Sequence, residues 1–541
     1  MTDRERKIEY LLTALAAAAI LAYLVVFGLI DFCGFARLAT ADMYEDTLVA
    51  RLMWEEKSLF PRSFLFGNQV YVAATPVLAA LFYGLTGSMN GAMCLATLCL
   101  SLLLLAAMVW MLRPFVKKTS LLFAVPLVFL ASFFGPYPVS REDGQQLFFA
   151  MCSFYACYLL CFFVVLGDYA RARESGERRL PALILSLFLC FCMGMQSLRQ
   201  TCVLILPLLC LEGLSALQSL RRGQGLLPEE KRAPRVRVLL YTAANLAGVV
   251  VIKLLPVRMH TIYSGASIFS GASAGEKFRD LHKALITVSG YDYTREGPDR
   301  LFYILMFVSL MGLVFAAVWL LLRRGGGQRV TAIRCFWLVA LLGCLSVVAA
   351  SFFTSVQLRP IYLFLFYTLP ALSLALIAEK AGPKLTAGLT AFFCVLAAAN
   401  LFVSYRSDLT RALDTAPTYE QELCDWAVEN GYELVYGAQS STAPYVAVRS
   451  DGKLTAGCWE DEVIFKLSPH INIRDIYSLA DYKRAIFVFL PSELEAMETE
   501  TEANGTEMTL RGVYGDWYVY TASNQLLYPI TETIDFRPEY N

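Results

Sequence analysis

Apolar and polar positions along the 541-residue chain alternate in long blocks rather than in the short periods of a soluble fold. The apolar blocks run for about 20 residues almost without charge, the length that crosses a bilayer core. They predict about eleven membrane-spanning helices, at 9–30, 91–112, 119–135, 146–167, 180–196, 200–217, 237–256, 301–322, 333–353, 360–379 and 385–403. The run Tyr71 to Leu85 is shorter and contains Pro76, so it is expected to lie at the membrane interface rather than to span. The first apolar run follows Arg4, Arg6 and Lys7. It is long, with no small-residue cleavage site after it, and reads as a retained first helix.

Basic residues test this choice, because Lys and Arg collect on the cytoplasmic side of a membrane protein. With the N-terminus in the cytoplasm and Tyr71–Leu85 not spanning, the inner loops carry Arg113, Lys117 and Lys118, then Arg171, Arg173, Arg178 and Arg179. They go on to hold Arg221, Arg222, Lys231, Arg232, Arg235 and Arg237, then Arg323, Arg324 and Arg329, and last Lys380 and Lys384. Counting Tyr71–Leu85 as a span would put most of these clusters outside. The chosen topology places residues 31–90, 136–145, 257–299 and the tail from about 404 outside. It predicts a multi-pass protein of the cytoplasmic membrane with a cytoplasmic N-terminus and an extracytoplasmic C-terminal domain. The two long outer loops are of a length that usually carries function.

The chain after residue 405 changes pattern. Thr418–Asn430 reads as a helix with Trp426 on its apolar face. Glu433–Tyr436, Tyr445–Val448 and Ala485–Leu490 read as strands, and Gly512–Thr521 as a hairpin about Gly515–Asp516. The acidic stretch Glu493–Glu507 reads as a mobile loop. The fold class expected is therefore an α-helical polytopic membrane protein with a C-terminal soluble α/β domain, divided into residues 1–405 and 406–541.

Composition sharpens this picture. Hydrophobic residues make up 57% of the chain, above the 45–50% or so of soluble domains. Net charge is zero, but residues 406–541 hold 23 acids against 10 bases. An acidic tail and a basic membrane part exclude nucleic acid as a partner. Most of the 15 cysteines lie in apolar runs and serve as packing residues. With no C-x-x-C pair and with His260, His282 and His470 far apart, a zinc site is not expected. Cys424 and Cys458, the two cysteines of the tail, either pair or stay free thiols.

Polar residues that carry chemistry gather in the segments assigned outside. Asp42, Glu45 and Asp46 lie at i, i+3 and i+4, on one face of a helix. Like charges so close repel, which favours a general base or a held divalent cation; an exposed acidic helix start explains the same spacing. Glu142 and Asp143 stand before the span 146–167, where helix capping is the plain alternative. Arg199 in Gln196-Ser197-Leu198-Arg199, Arg258, His260 and Arg359 lie outside, against the general trend. A phosphorylated lipid would account for such cations, as would snorkelling to headgroups.

These residues resemble a known class. The chain looks like a GT-C glycosyltransferase, the polytopic class that includes protein mannosyltransferases and aminoarabinose transferases of lipid A. The class carries an Asp-Glu pair in its first outer loop, followed by an Ala-Arg-x-Met stretch. Ala50-Arg51-Leu52-Met53 matches that stretch, and counting back places Asp42 on the catalytic aspartate. Met43 stands where the class has Glu, with Glu45 and Asp46 close by. Asp143 in Arg141-Glu142-Asp143-Gly144 follows the third span, as does the second acidic motif of the class. Tyr71–Gly84 with Pro76 matches its interfacial helix. Motif support covers about residues 9–200, and topology alone covers 200–405.

The resemblance implies an inverting sugar transfer from a polyprenyl-phosphate donor to a glycan, lipid or protein acceptor, among membrane lipids. Asp42, Asp143, Glu45 and Asp46 would be the catalytic acids. Arg199, Arg258, His260, Arg359, Glu142 and Gln196 would hold substrate. No cofactor is demanded, and a divalent metal stays open. Two other readings stand beside it: a transporter or flippase for a lipid-linked sugar, and a non-catalytic envelope-assembly protein whose tail aromatics (Trp426, Trp459, Trp517, Tyr518, Tyr520) stack on sugars rather than form a core.

Overall fold

The structure is a computed structural model. It describes residues 3–67, 69–134, 152–174, 180–223, 225, 228–257, 274–290, 297, 299–322, 328–354, 356–460, 463–467 and 482–524. Its helices are α1 (Asp3–Leu38), α2 (Ala41–Glu55), α3 (Thr75–Thr86), α4 (Met89–Leu112), α5 (Thr119–Ala131), α6 (Cys152–Glu174) and α7 (Leu180–Gln196). A π-helical turn, Thr201–Ile205, leads into α8 (Leu206–Arg221). Next come α9 (Glu229–Leu254), α10 (Ala274–Val288), α11 (Asp299–Leu322) and α12 (Gln328–Phe353). A 3-10 segment, Pro360–Tyr367, precedes α13 (Thr368–Lys380) and α14 (Pro383–Leu413).

Nine helices among the described residues are long and apolar enough to cross a membrane, and α5 and α7 are shorter apolar helices. Together they correspond to the eleven spans expected. Thr75–Thr86 is a separate short helix of 12 residues, about 18 Å long at 1.5 Å per residue. Pro76 starts it and Gly87, at φ 68°, ends it in the left-handed conformation that favours glycine.

The chain forms two compact units. One comprises residues 1–28, 98–252 and 263–408. Its centre is α13, whose residues are almost all buried and which packs on α5, α11 and α12. Backbones approach closely between α7 and α9. A Cβ added at Gly194 would lie 2.0 Å from the Asn245 carbonyl oxygen, and one at Gly248 would lie 2.1 Å from that of Phe191. Small residues at such crossings are how helices pack where lipid removes the hydrophobic drive. Several buried polar groups find partners here. Tyr23 donates to the Ala397 carbonyl (2.9 Å), Tyr405 to that of Phe133 (2.6 Å), and Arg237 and Tyr241 both donate to Asp168.

The second unit comprises residues 29–97, 253–262 and 409–541. Its C-terminal part holds α15 (Tyr419–Glu429), β1 (Leu434–Ala438), α16 (Ala443–Arg449), β2 (Thr455–Glu460), β3 (Val463–Leu467), β4 (Ala485–Phe489), α17 (Leu494–Ala503), β5 (Met508–Tyr514) and β6 (Trp517–Ala522). The strands form one sheet in the order β3-β2-β1-β4-β6-β5. β1 runs parallel to β2 and β4; the remaining pairs are antiparallel.

The expected helix at Thr418 and the hairpin at Gly515 are present. Two expectations are corrected. Tyr445–Val448 is part of helix α16, not a strand, because parallel β1 and β2 need a crossover between them; Pro444 opens it. Glu493–Glu507 is not a loop. Leu494–Ala503 is a helix that buries Met497 and Thr501, four positions apart. Glu493 anchors it, accepting from the Leu490 amide (2.7 Å) and from the Trp459 indole (3.0 Å). Trp459 and Trp517 are buried in the domain core, and Trp426 is half-buried against Tyr432 and Tyr514. Cys424 and Cys458 are buried free thiols.

The first loop folds together with this domain. Leu65 sits in the core beneath the sheet with Trp459, Phe465 and Phe487. Asn90 donates its side-chain amide to the Val448 carbonyl (2.7 Å) and its backbone amide to Asp451 (2.8 Å). The ends of α1 and α14 also meet, with Arg37 3.4 Å from Asp414 and Gly34 against Ala412. An even number of crossings must therefore separate Leu38 from Leu413. The apolar helices α4–α9 and α11–α14 supply ten among the described residues. Counting α3 as a span would break the parity.

Candidate active site

Thr40, in extended conformation, precedes α2. Tyr44, Leu48, Val49, Leu52 and Met53 are buried and fix the helix on its neighbours. That packing carries the acids inward. Asp42 is half-buried, Asp46 is completely buried, and Glu45 keeps partial exposure while being densely surrounded. The Tyr71 hydroxyl, buried just before α3, donates to Asp46.

Burial holds the Glu45 carboxyl well above its usual range, and the charges of Asp42 and Asp46 push it further in the same direction. Tyr71 is raised as well, first by burial and then by Asp46 and Glu45, so its proton stays on as a hydrogen-bond donor. Within the cluster, burial and neighbouring charge thus favour the neutral form of Glu45.

The Ala50-Arg51-Leu52-Met53 stretch anchors this helix. Arg51 pairs with Glu55 (2.7 Å) and donates to the Gly452 carbonyl (3.0 Å). The Tyr44 hydroxyl accepts from the Ala456 amide (2.9 Å). Gly84 lets α3 close on α2; a Cβ there would meet the Trp54 ring at 2.3 Å.

A second cluster lies in the helical unit. Arg199 is held between two tyrosines, 5.3 Å from the ring of Tyr155 and 5.2 Å from that of Tyr362, a cation–π arrangement. Arg359, just before the 3-10 segment that carries Tyr362, is exposed and also acts on the Tyr155 hydroxyl. Gln196 is buried and donates to Tyr158 (3.5 Å), whose hydroxyl bonds Ser197 (2.6 Å). The Ser197 hydroxyl in turn accepts from the Arg199 amide (3.2 Å).

The structure therefore groups Asp42, Glu45 and Asp46 in one place, and Gln196, Arg199 and Arg359 in another. Glu142, Asp143, Arg258 and His260 lie outside the described residues. Among the described residues no three His, Cys, Asp or Glu side chains converge as metal ligands. Sequence reasoning missed Tyr71, Tyr155, Tyr158 and Tyr362. The last three sit in apolar runs where an aromatic reads as packing, and no spacing singles them out.

No protein-family profile matches the chain, and no curated protein matches it by sequence. Solved structures do match. ArnT from Cupriavidus metallidurans bound to undecaprenyl phosphate aligns with a TM-score of 0.56 at 13% identity, covering 95% of this chain and 98% of that one. The fold is that of ArnT. The same enzyme in the apo state aligns with a TM-score of 0.52 at 13% identity, over 94% and 97% of the two chains. The ArnT-like fold includes the C-terminal domain, since coverage is nearly complete on both sides. It bears out, at the level of fold, the GT-C resemblance drawn from the first loop.

Proposed function

We propose that this protein is a glycosyltransferase that moves a sugar from a polyprenyl-phosphate donor to an acceptor hydroxyl at the outer face of the cytoplasmic membrane. The observation that carries the reading is the row of three carboxylates on α2 within an ArnT-like fold. That the matched ArnT binds undecaprenyl phosphate supports the class of donor.

Asp42, the more accessible of the two aspartates, is the base. It takes the proton as the acceptor oxygen attacks the anomeric carbon. The bond from that carbon to the phosphate oxygen breaks, and polyprenyl phosphate leaves with the electron pair, inverting the centre. Glu45, whose neutral form burial favours, serves as a hydrogen-bond donor rather than as the base. Asp46, tied to Tyr71, fixes the helix face. Arg199 and Arg359, with Arg258 and His260, hold the phosphate through charge-assisted hydrogen bonds. Asp143 and Glu142 position the acceptor. Gln196 holds the Tyr158–Ser197 pair that sets Arg199.

General-base catalysis contributes about 10²–10⁴-fold. Asp42→Asn is expected to lower turnover of a polyprenyl-phosphate sugar by that order while the thermal transition stays in place. Unchanged turnover would remove Asp42 from the mechanism. Movement of labelled lipid across a vesicle membrane without bond formation would point to a carrier instead.

A further inference from the structure

Next to Arg199 stands a group that the proposed mechanism leaves idle. Gln200 is completely buried, and neither its amide oxygen nor its amide nitrogen has a hydrogen-bond partner among the described residues. Its neighbours in sequence are all satisfied. Gln196 reaches Tyr158 and Cys157 (both 3.5 Å), and Thr201 donates to Asn245 (2.6 Å). A buried amide with both halves unmatched is costly, and native chains rarely keep one without a partner such as water or ligand.

The local backbone makes this position unusual. α7 ends at Gln196, and Ser197 caps the start of the next helix through the Arg199 amide. The chain then takes a π-helical turn over Thr201–Ile205, a form found mostly at functional sites. α12 clamps that turn, with Ser346 donating to the Cys202 carbonyl and Gly343 lying against that of Val203. Gln200 is thus fixed at the junction, one residue from the guanidinium assigned to the phosphate.

The chemistry of the missing partner can be read from the amide. A phosphate only accepts hydrogen bonds, so it would satisfy the NH₂ group and leave the carbonyl oxygen bare. Both halves are met by a group that donates and accepts at once, which a hydroxyl does. We propose that Gln200 recognises a hydroxyl of the donor sugar beside the phosphate held by Arg199, and so sets which sugar the enzyme takes. The inference rests on the lipid-linked donor proposed above.

The test uses the full-length protein in nanodiscs with two probes, polyprenyl phosphate alone and a polyprenyl-phosphate-linked hexose. Gln200→Met keeps the length of the side chain and removes the amide. The variant is expected to bind the bare lipid as the wild type does and the sugar-bearing lipid about tenfold more weakly, the loss of about one hydrogen bond. If it instead binds both lipids as the wild type does, and melts at a higher temperature, the amide holds only water and the inference is overturned. Gln200→Asn, which retracts the amide by one methylene, gives the same reading should Gln200→Met fold poorly. Wild-type protein that binds neither lipid would sink the lipid-donor reading and this inference with it; binding of both by wild type and variants alike would sink this inference alone.

Discussion

Three carboxylates within five positions of α2 cannot all ionise at equal cost. Burial and two acidic neighbours oppose the charge of Glu45 and raise its pKa. A carboxyl with a raised pKa in the folded state binds its proton more tightly there than in the unfolded chain. Its contribution is fully favourable below the unfolded value of about 4.3 and is lost as pH rises through the folded value. Glu45→Gln removes that loss. The variant is expected to be more stable than the wild type at neutral pH, with the difference shrinking toward pH 4, in thermal melts recorded across pH. A constant difference would show that Glu45 titrates normally. At this scale the sequence revealed the acids and the cations, because charge in an apolar context is conspicuous. It hid their partners. Tyr71 and Tyr155 act through position alone, and a tyrosine in an apolar run looks like packing.

Elements follow from period and breakers where these are strong. Pro76 and Gly87 bound α3, and Gly515 turns the last hairpin. Tyr445–Val448 reads as a strand on its tyrosine and two valines, yet the parallel pairing of β1 with β2 requires a crossover there, which helix α16 supplies. Leu494–Ala503 reads as a loop from its acids, although Leu, Glu, Met and Ala favour helix. Helix crossings depend on features with no periodic signal. Gly194 faces the backbone of Asn245, which cannot move aside as a side chain does. Gly194→Ala is expected to destabilise the protein by about 3 kcal/mol. Gly213→Ala, at a position with open space around it, is expected to leave stability unchanged or slightly raised. Equal melting of the two variants would contradict the close packing of α7 on α9.

At the scale of the whole molecule, the apolar blocks and the asymmetry of basic residues are enough to count the spans. The even parity between Leu38 and Leu413 agrees with leaving Tyr71–Leu85 out of that count. The joining of the first loop to the C-terminal domain was not legible, because it rests on contacts between residues hundreds of positions apart. Asn90 is one such tie. Asn90→Ala removes the bond to the Val448 carbonyl and is expected to cost about 1 kcal/mol and to speed proteolytic cleavage within residues 56–74. Cleavage at the wild-type rate would show that the tie adds nothing to local stability.

That joining has a consequence for how the chain is made. Tyr44 is separated from Ala456 by 412 residues and Asn90 from Val448 by 358. At about 5–20 residues per second, the ribosome delivers the second partner on the order of tens of seconds after the first. During that interval α2, with its acids, has been synthesised but lacks the surface that seats it. Nascent chains stalled before residue 434 should therefore expose Leu65 and the first loop to chaperones and proteases, and release past β6 should be the moment at which the acid cluster is assembled.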